Sequence, residues 1–252
     1  MSSNPDKETQ VDELDTFDLE TYLSNPLLDF SQPLRKLVFL ARSFGRHALE
    51  LGNEIPTRPL YFLKSPSALL TRGQPVCLPK ECDIVHYEAE VAVVLGQKLT
   101  KGSSEEEAEK SILGWTILND VTARSAQKED GGKFTRAKGY DSFCPIAGQY
   151  LPSLDWKNAR IQGWLNGECV QNAPLTDMIF TPAQALVAIA EVMSLYPGDL
   201  ISFGTPAGVG ELKEGDLFEV RLCQKVNEVE FSSVSDLKEK VLLSFTHTVI
   251  AE

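Results

Sequence analysis

In His86-Tyr87-Glu88-Ala89-Glu90 two glutamates stand two positions apart, and the chain then runs into Val91-Ala92-Val93-Val94-Leu95-Gly96. The branched and aliphatic run, free of proline and stopped by Gly96, reads as a buried β-strand. Residues two apart on a strand share a face, so Glu88 and Glu90 aim two carboxylates at one point with an apolar strand behind them. Converging anions at the edge of a core repel each other and lose hydration. Either one takes a proton or something positive sits between them. A hard divalent cation, Mg²⁺ or Mn²⁺, suits carboxylate oxygens. The pentapeptide alone fits an exposed strand start equally well.

A third acid favours the metal. Leu113-Gly114-Trp115-Thr116-Ile117-Leu118 is a second strand-like run, and it leads into Asn119-Asp120. If the two strands are neighbours, Glu88, Glu90 and Asp120 form one face of an octahedral site, with water and substrate at the remaining positions. Three carboxylates around one divalent ion leave a net negative charge, so an anionic substrate requires added cations. Arg124 and, further on, Lys138 are at hand.

Glu88-Ala89-Glu90, Asp120-Val121-Thr122-Ala123-Arg124 and Gly204-Thr205-Pro206-Ala207-Gly208-Val209-Gly210 occur in this order, with a lysine between the second and third. In this the chain resembles the fumarylacetoacetate hydrolase superfamily, from roughly Leu37 onward. The resemblance implies a β-rich, mixed α/β roll of the C-terminal-domain type found in that superfamily, and a homodimer. It places Lys138 on the substrate side and pairs Arg124 and Gln127 with it.

His47 and Glu50 are three apart and share a helix face if the segment ending at Gly52-Asn53 is a helix. Spacing alone favours an exposed histidine on a polar helix over a general base. The resemblance implies the base, because acylpyruvase-like members carry a His-x-x-Glu dyad at this place. Those members have Gly-Arg-Asn-Tyr before the histidine; here Ala41-Arg42-Ser43-Phe44 stands instead. Lys64, in Phe62-Leu63-Lys64-Ser65-Pro66, reads as a solvated loop residue, while the resemblance sets it near the active site. Gly204 and Gly208 would let backbone N–H groups approach a carboxylate, with the Thr205 hydroxyl as another donor. A purely structural turn is the other reading.

The activity implied is Mg²⁺-dependent (or Mn²⁺-dependent) hydrolysis of a C–C bond in an acylpyruvate-type 2-oxo acid such as acylpyruvate or fumarylpyruvate. His47, helped by Glu50, would activate water, leaving pyruvate as an enolate on the metal. Oxaloacetate decarboxylation and isomerisation or decarboxylation of a 2-hydroxy-dienedioate use the same site. A non-catalytic binding protein on the same fold is the reading from another class, motivated by Ser43-Phe44 and the acidic N-terminus.

A net charge of −12 over 252 residues argues against nucleic acid and anionic membranes as partners, though not against a small anionic 2-oxo acid held by local cations. The five cysteines, odd in number and without a Cys-x-x-Cys pair, point to a reducing compartment. The three histidines include no His-Glu-x-x-His, which disfavours a zinc hydrolase. The acidic, polar start does not resemble a signal or transit peptide, so a cytoplasmic location is expected.

The elements that must hold these residues are short. Strands are expected over Leu37–Ala41, Pro59–Lys64 and Leu200–Phe203, and a last one over Leu217–Leu222. Ser103–Lys110 reads as an acidic helix facing solvent, and Gly131–Pro145 as a mobile loop carrying Lys138 and Asp141. Asn166-Gly167 marks a hairpin with a type I′ turn. Thr181-Pro182 caps a helix over Ala183–Leu195. Many short strands and few helices suggest a mixed, β-rich fold rather than a doubly wound sheet. Residues 1–36 read as an acidic extension, with an amphipathic helix or a flexible tail over Asp12–Leu28, and residues 37–252 as one catalytic domain.

Overall fold

The computed structural model describes residues 26–28, 36–45, 55–70, 74–225 and 239–252. His47, Glu50 and the helix expected around them lie outside the described residues. So does most of the acidic extension. Of the latter, Pro26–Leu28 is seen as an extended clip on the domain: Leu28 N–H donates to Gly148 O and Tyr150 N–H to Pro26 O, each at 3.0 Å.

The described strands are β1 (Leu37–Ala41), β2 (Leu60–Lys64), β3 (Leu69–Leu70), β4 (Val76–Leu78), β5 (Val85–Tyr87), β6 (Ala89–Leu95), β7 (Ile112–Asn119), β8 (Thr122–Ala123), β9 (Cys144–Pro145), β10 (Ala159–Leu165), β11 (Glu168–Pro174), β12 (Leu200–Ser202), β13 (Gly210–Glu211), β14 (Leu217–Lys225) and β15 (Glu239–Ala251). The helices are α1 (Glu105–Ser111), α2 (Arg124–Glu129), α3 (Phe134–Gly139) and α4 (Pro182–Ala190). One sheet has the order β2-β1-β12-β6-β7 and a second the order β11-β10-β14-β15-β4. Pairing is antiparallel except at β1–β12, β15–β4 and the separate short pair β3–β9. The fold is the strand-rich mixed α/β type that the sequence implies. No helix among the described residues is long and apolar enough to cross a membrane.

Strand β6 is buried along its whole length because it has a core on each face. Ala89, Val91, Val93 and Leu95 join the main core together with Ile161, Phe218, Val220 and Leu243 of the second sheet. Ala92 and Val94 face the other way, into a smaller cluster with Leu37, Phe39, Leu118 and Leu200. Strand periodicity puts Glu88 and Glu90 on this outer face, where the small cluster ends.

Several local expectations hold. The β10–β11 hairpin turns at Asn166 (φ +51°) and Gly167 (φ +85°), the left-handed pair that a type I′ turn requires. Helix α1 is closed by a Ser104/Glu107 capping box, and α4 by a Thr181/Gln184 box with Pro182 in its first turn. Other expectations are corrected. Helix α4 stops at Ala190 rather than Leu195, because Leu195 and Leu99 exchange two backbone hydrogen bonds that draw the chain into extended form. The stretch read as a mobile loop contains α3, and Lys138 on it is buried. Leu217–Leu222 is part of a longer strand and is not the last. The 13-residue β15 follows, with Val241, Leu243, His247 and Val249 buried at alternate positions.

Candidate active site and metal centre

The ladder between β6 and β7 brings the acids together. Ala89 pairs with Asn119 and Glu90 with Leu118, so Glu88 and Asp120 fall at the next rung. There Asp120 N–H donates to Glu88 O at 2.9 Å. One carboxylate oxygen from each of Glu88, Glu90 and Asp120 lies within 4.8 Å of the others, and all three residues are buried.

Cations hold two of the three. Lys138 donates to Glu88 Oε2 at 2.8 Å and to Asp120 Oδ2. Lys64 donates to Asp120 Oδ1 and to Val121 O. Arg124 is held at three points: Glu88 Oε1, Gln127 Oε1 at 3.1 Å and His86 Nδ1 at 3.2 Å. Burial pulls the Lys138 ammonium toward neutrality, but Asp120, Glu88 and Glu90 more than reverse this, and its pKa is raised.

Glu90 differs. Its hydrogen bond comes from the Ser202 hydroxyl, and among the described residues no lysine or arginine donates to it. Burial and the nearby charge of Asp120 push its pKa well above the usual carboxylate range. Three buried acid groups converge, and one of them has no cation of its own. That donor set fits a hard divalent ion, with Glu88, Glu90 and Asp120 as its holders. The ion would replace the proton that Glu90 otherwise favours.

Glu88 and Glu90 open onto a cavity of about 220 Å³ lined also by Arg42, Phe62, Arg124, Gln127, Phe134, Lys138 and Thr205. Phe62 and Phe134 stack at 4.5 Å between ring centroids, and the Lys138 ammonium lies 5.1 Å from the Phe62 ring. The structure therefore brings together Glu88, Glu90, Asp120, Arg124, Gln127, Lys138 and Thr205.

Two of the expected donors are used differently. The Thr205 hydroxyl donates to Ala89 O at 3.0 Å and accepts from Gln171 Nε2 at 2.8 Å, so its proton is committed to the framework. Gly204 has φ +83°, and a Cβ there would meet Ser43 Oγ at 2.1 Å. Its missing side chain admits Ser43, whose hydroxyl donates to Phe203 O. The bare Cα at this position thus serves packing.

Residues absent from the expected site are Gln171 and Asn119, together with the two phenylalanines, and Lys64 is set near it by the family likeness alone. Lys64 ends a strand that places it inward, buried rather than solvated. Phe134 precedes Lys138 by four positions on α3, a helical spacing hidden by reading the segment as a loop. Nothing local marks Gln171. Its side chain accepts from Ala89 N–H at 2.9 Å and donates to Thr205 Oγ1 and Pro206 O, joining the acid-bearing strand to the glycine-rich loop.

A buried carboxylate triad ringed by lysines and arginine on a strand-rich roll defines a class of enzyme, and comparison with known proteins identifies it. Residues 36–241 match the family model described as fumarylacetoacetate (FAA) hydrolase C-terminal. The chain belongs to the fumarylacetoacetate hydrolase family. An uncharacterized protein of Methanocaldococcus jannaschii is 43% identical over 187 residues, 74% of this chain and 78% of that one. A protein of Dictyostelium discoideum named mitochondrial oxaloacetate decarboxylase is 34% identical over 207 residues, covering 79% of this chain and 94% of its own length. Mitochondrial oxaloacetate tautomerase fahd-1 of Caenorhabditis elegans is 35% identical over 207 residues, covering 80% and 96%. Among solved structures, 5-carboxymethyl-2-hydroxymuconate delta-isomerase from Mycobacterium smegmatis superposes with a TM-score of 0.73 at 30% identity, covering 90% of this chain and 81% of that one. The protein is an enzyme of this superfamily, with an activity related to those of its relatives.

Proposed function

We propose that the protein is a Mg²⁺-dependent enzyme that develops and resolves negative charge next to the carbonyl of a small anionic 2-oxo acid. The buried triad of Glu88, Glu90 and Asp120 carries this reading. Bound there, Mg²⁺ would supply a Lewis acid that draws negative charge onto the 2-oxo oxygen. With Glu90 ionised, Lys64, Lys138 and Arg124 balance the three acids, so a divalent ion leaves a positive surplus, to which Arg42 adds, for a dianionic substrate to meet. Arg124, Gln127 and Lys138 hold anionic oxygens of the substrate, and Phe62 and Phe134 keep bulk water from screening them.

The names of the Dictyostelium and Caenorhabditis relatives support oxaloacetate as the substrate, either moving a proton between C3 and the 2-oxo oxygen or losing CO₂ to give pyruvate. The second reading is hydrolysis of an acylpyruvate, in which water adds to the distal carbonyl and the C–C bond breaks to give a carboxylic acid and pyruvate. The His47/Glu50 pair favours it, as base and partner for that water. A homodimer in the cytoplasm is proposed as the working form. Five free thiols support the reducing compartment, and the family resemblance supports the dimer.

Oxaloacetate, acetylpyruvate and fumarylpyruvate, each incubated with enzyme and Mg²⁺, separate these readings by product. Loss of enol absorbance without CO₂ means tautomerisation, pyruvate with CO₂ means decarboxylation, and pyruvate with acetate or fumarate means hydrolysis. No change in any of the three substrates overturns the proposal.

A further inference from the structure

Strand β15 supplies a histidine to the back of the candidate site. Asn119 is fully buried and His247 nearly so. Glu88 N–H donates to Asn119 Oδ1 at 2.8 Å, and Asn119 Nδ2 lies 2.9 Å from His247 Nε2. A backbone N–H can only donate, so the amide oxygen of Asn119 must face Glu88 and its NH₂ must face the imidazole. His247 Nε2 is then an acceptor and carries no proton. The ring proton sits on Nδ1, toward Thr248 O at 3.4 Å. The rings of Phe218 and Phe245 flank the imidazole, with centroids 5.9 Å and 6.2 Å away.

We infer that His247 is a positioning residue for the metal centre: by accepting from Asn119 it fixes the amide that holds the Glu88 peptide. Asp120 N–H donates to the Glu88 carbonyl, in the next peptide, so both peptides that flank Glu88 are held at the Glu88–Asp120 corner. Without the acceptor, the Asn119 NH₂ has no partner on the ring and the amide is free to rotate away. Glu88 N–H then loses the Asn119 acceptor at a buried position. The inference rests on reading Glu88, Glu90 and Asp120 as metal ligands, and it concerns orientation, since His247 touches neither metal nor substrate.

Mn²⁺ is the probe, titrated into the full chain with free Mn²⁺ read by electron paramagnetic resonance. Losing a partner that orients a ligand costs roughly 10–100-fold in metal affinity, so His247→Phe, which keeps an aromatic ring and removes the acceptor, is expected to bind at least about tenfold more weakly. His247→Gln offers an amide oxygen to Asn119 and is expected to return close to parental affinity. In an Asn119→Ala background, His247→Phe is expected to change nothing further, because the link it acts through is gone. Parental affinity in His247→Phe overturns the inference. So does His247→Gln binding as weakly as His247→Phe, which would make ring shape the cause. A parent that does not take up Mn²⁺ overturns the metal reading itself, a distinguishable result. If His247→Phe fails to fold, ¹⁵N NMR of the unsubstituted protein still decides. A pyridine-type Nε2 signal for His247 is expected, and a pyrrole-type Nε2 overturns the inference.

Discussion

The two faces of the first sheet, where β6 meets β7, do opposite kinds of work. The outer face carries Glu88, Glu90 and Asp120 with Lys64, Lys138 and Arg124 around them: ionisable groups close together, with Glu88, Glu90, Arg124 and Lys138 lining a cavity. The inner face of the same few residues is neutral. Ala89 packs toward Gly163, and Asn119, Gln171 and His247 meet the backbone through amides and a ring without crowding it with charge. The chemistry faces one core and the framework faces the other. The acids can repel each other without distorting the strand because the peptides that carry them are held from behind by neutral hydrogen bonds.

Substitutions on the charged face should alter binding and rate, and those on the neutral face should alter stability and orientation. The largest effect is expected from Glu90→Ala, which removes one of three ligands. Mn²⁺ affinity should fall by more than the roughly 10–100-fold that follows loss of a supporting partner. The metal-free protein should melt higher, since a buried, repelled carboxyl is gone; both are read by metal titration and calorimetry. Lys138→Met keeps the length and removes the charge. It should lower kcat/KM on the best 2-oxo acid by about 10²–10³-fold, the usual loss for one donor to developing charge, with the fold intact by circular dichroism.

The neutral face is tested by acid. Burial holds the His247 pKa down at about 4 against an ordinary 6.5. Between those values the unfolded chain binds a proton that the folded chain refuses, so stability is full above pH 6.5 and falls as pH drops toward 4. At about 1.4 kcal/mol for each tenfold in proton affinity, that contribution is about 3 kcal/mol. Urea unfolding of the metal-free protein across this range should show the loss, and His247→Phe should show less of it. The smallest effect is expected from Gly163→Ala. The added Cβ would lie 3.0 Å from both Gln171 Oε1 and Phe218 Cζ and 3.2 Å from Ala89 Cβ. Crowding of this kind costs about 1–3 kcal/mol, seen as a lower Tm with kcat nearly unchanged. A large loss of kcat there would break the division between the faces.

The charged face was largely legible in the sequence because its information is local. Glu88 and Glu90 lie on one strand, Asp120 ends its neighbour, and Arg124 and Gln127 follow within two helical turns. The neutral face was not legible. Gln171 reaches Ala89 across 82 residues and His247 reaches Asn119 across 128, and only three-dimensional pairing connects them. Strand β15 was missed although its core positions alternate, since Ser244, Thr246 and Thr248 dilute the apolar signal and a histidine takes one of the buried places. Lys138 was placed by family likeness, and its burial in a helix was hidden by Gly131-Gly132 just upstream.

Strand β15 is synthesised after every other described strand, and it must pair with β14 on one side and with β4 on the other, some 170 residues earlier in the chain. Loops that close over such distances form slowly. A nascent chain can therefore hold both carboxylate strands well before the imidazole that steadies them has left the ribosome. Maturation of the site then follows the folding of the other described strands. The first competent molecules should appear after bulk secondary structure has formed, with the docking of β15 between β14 and β4 as the step that sets the delay.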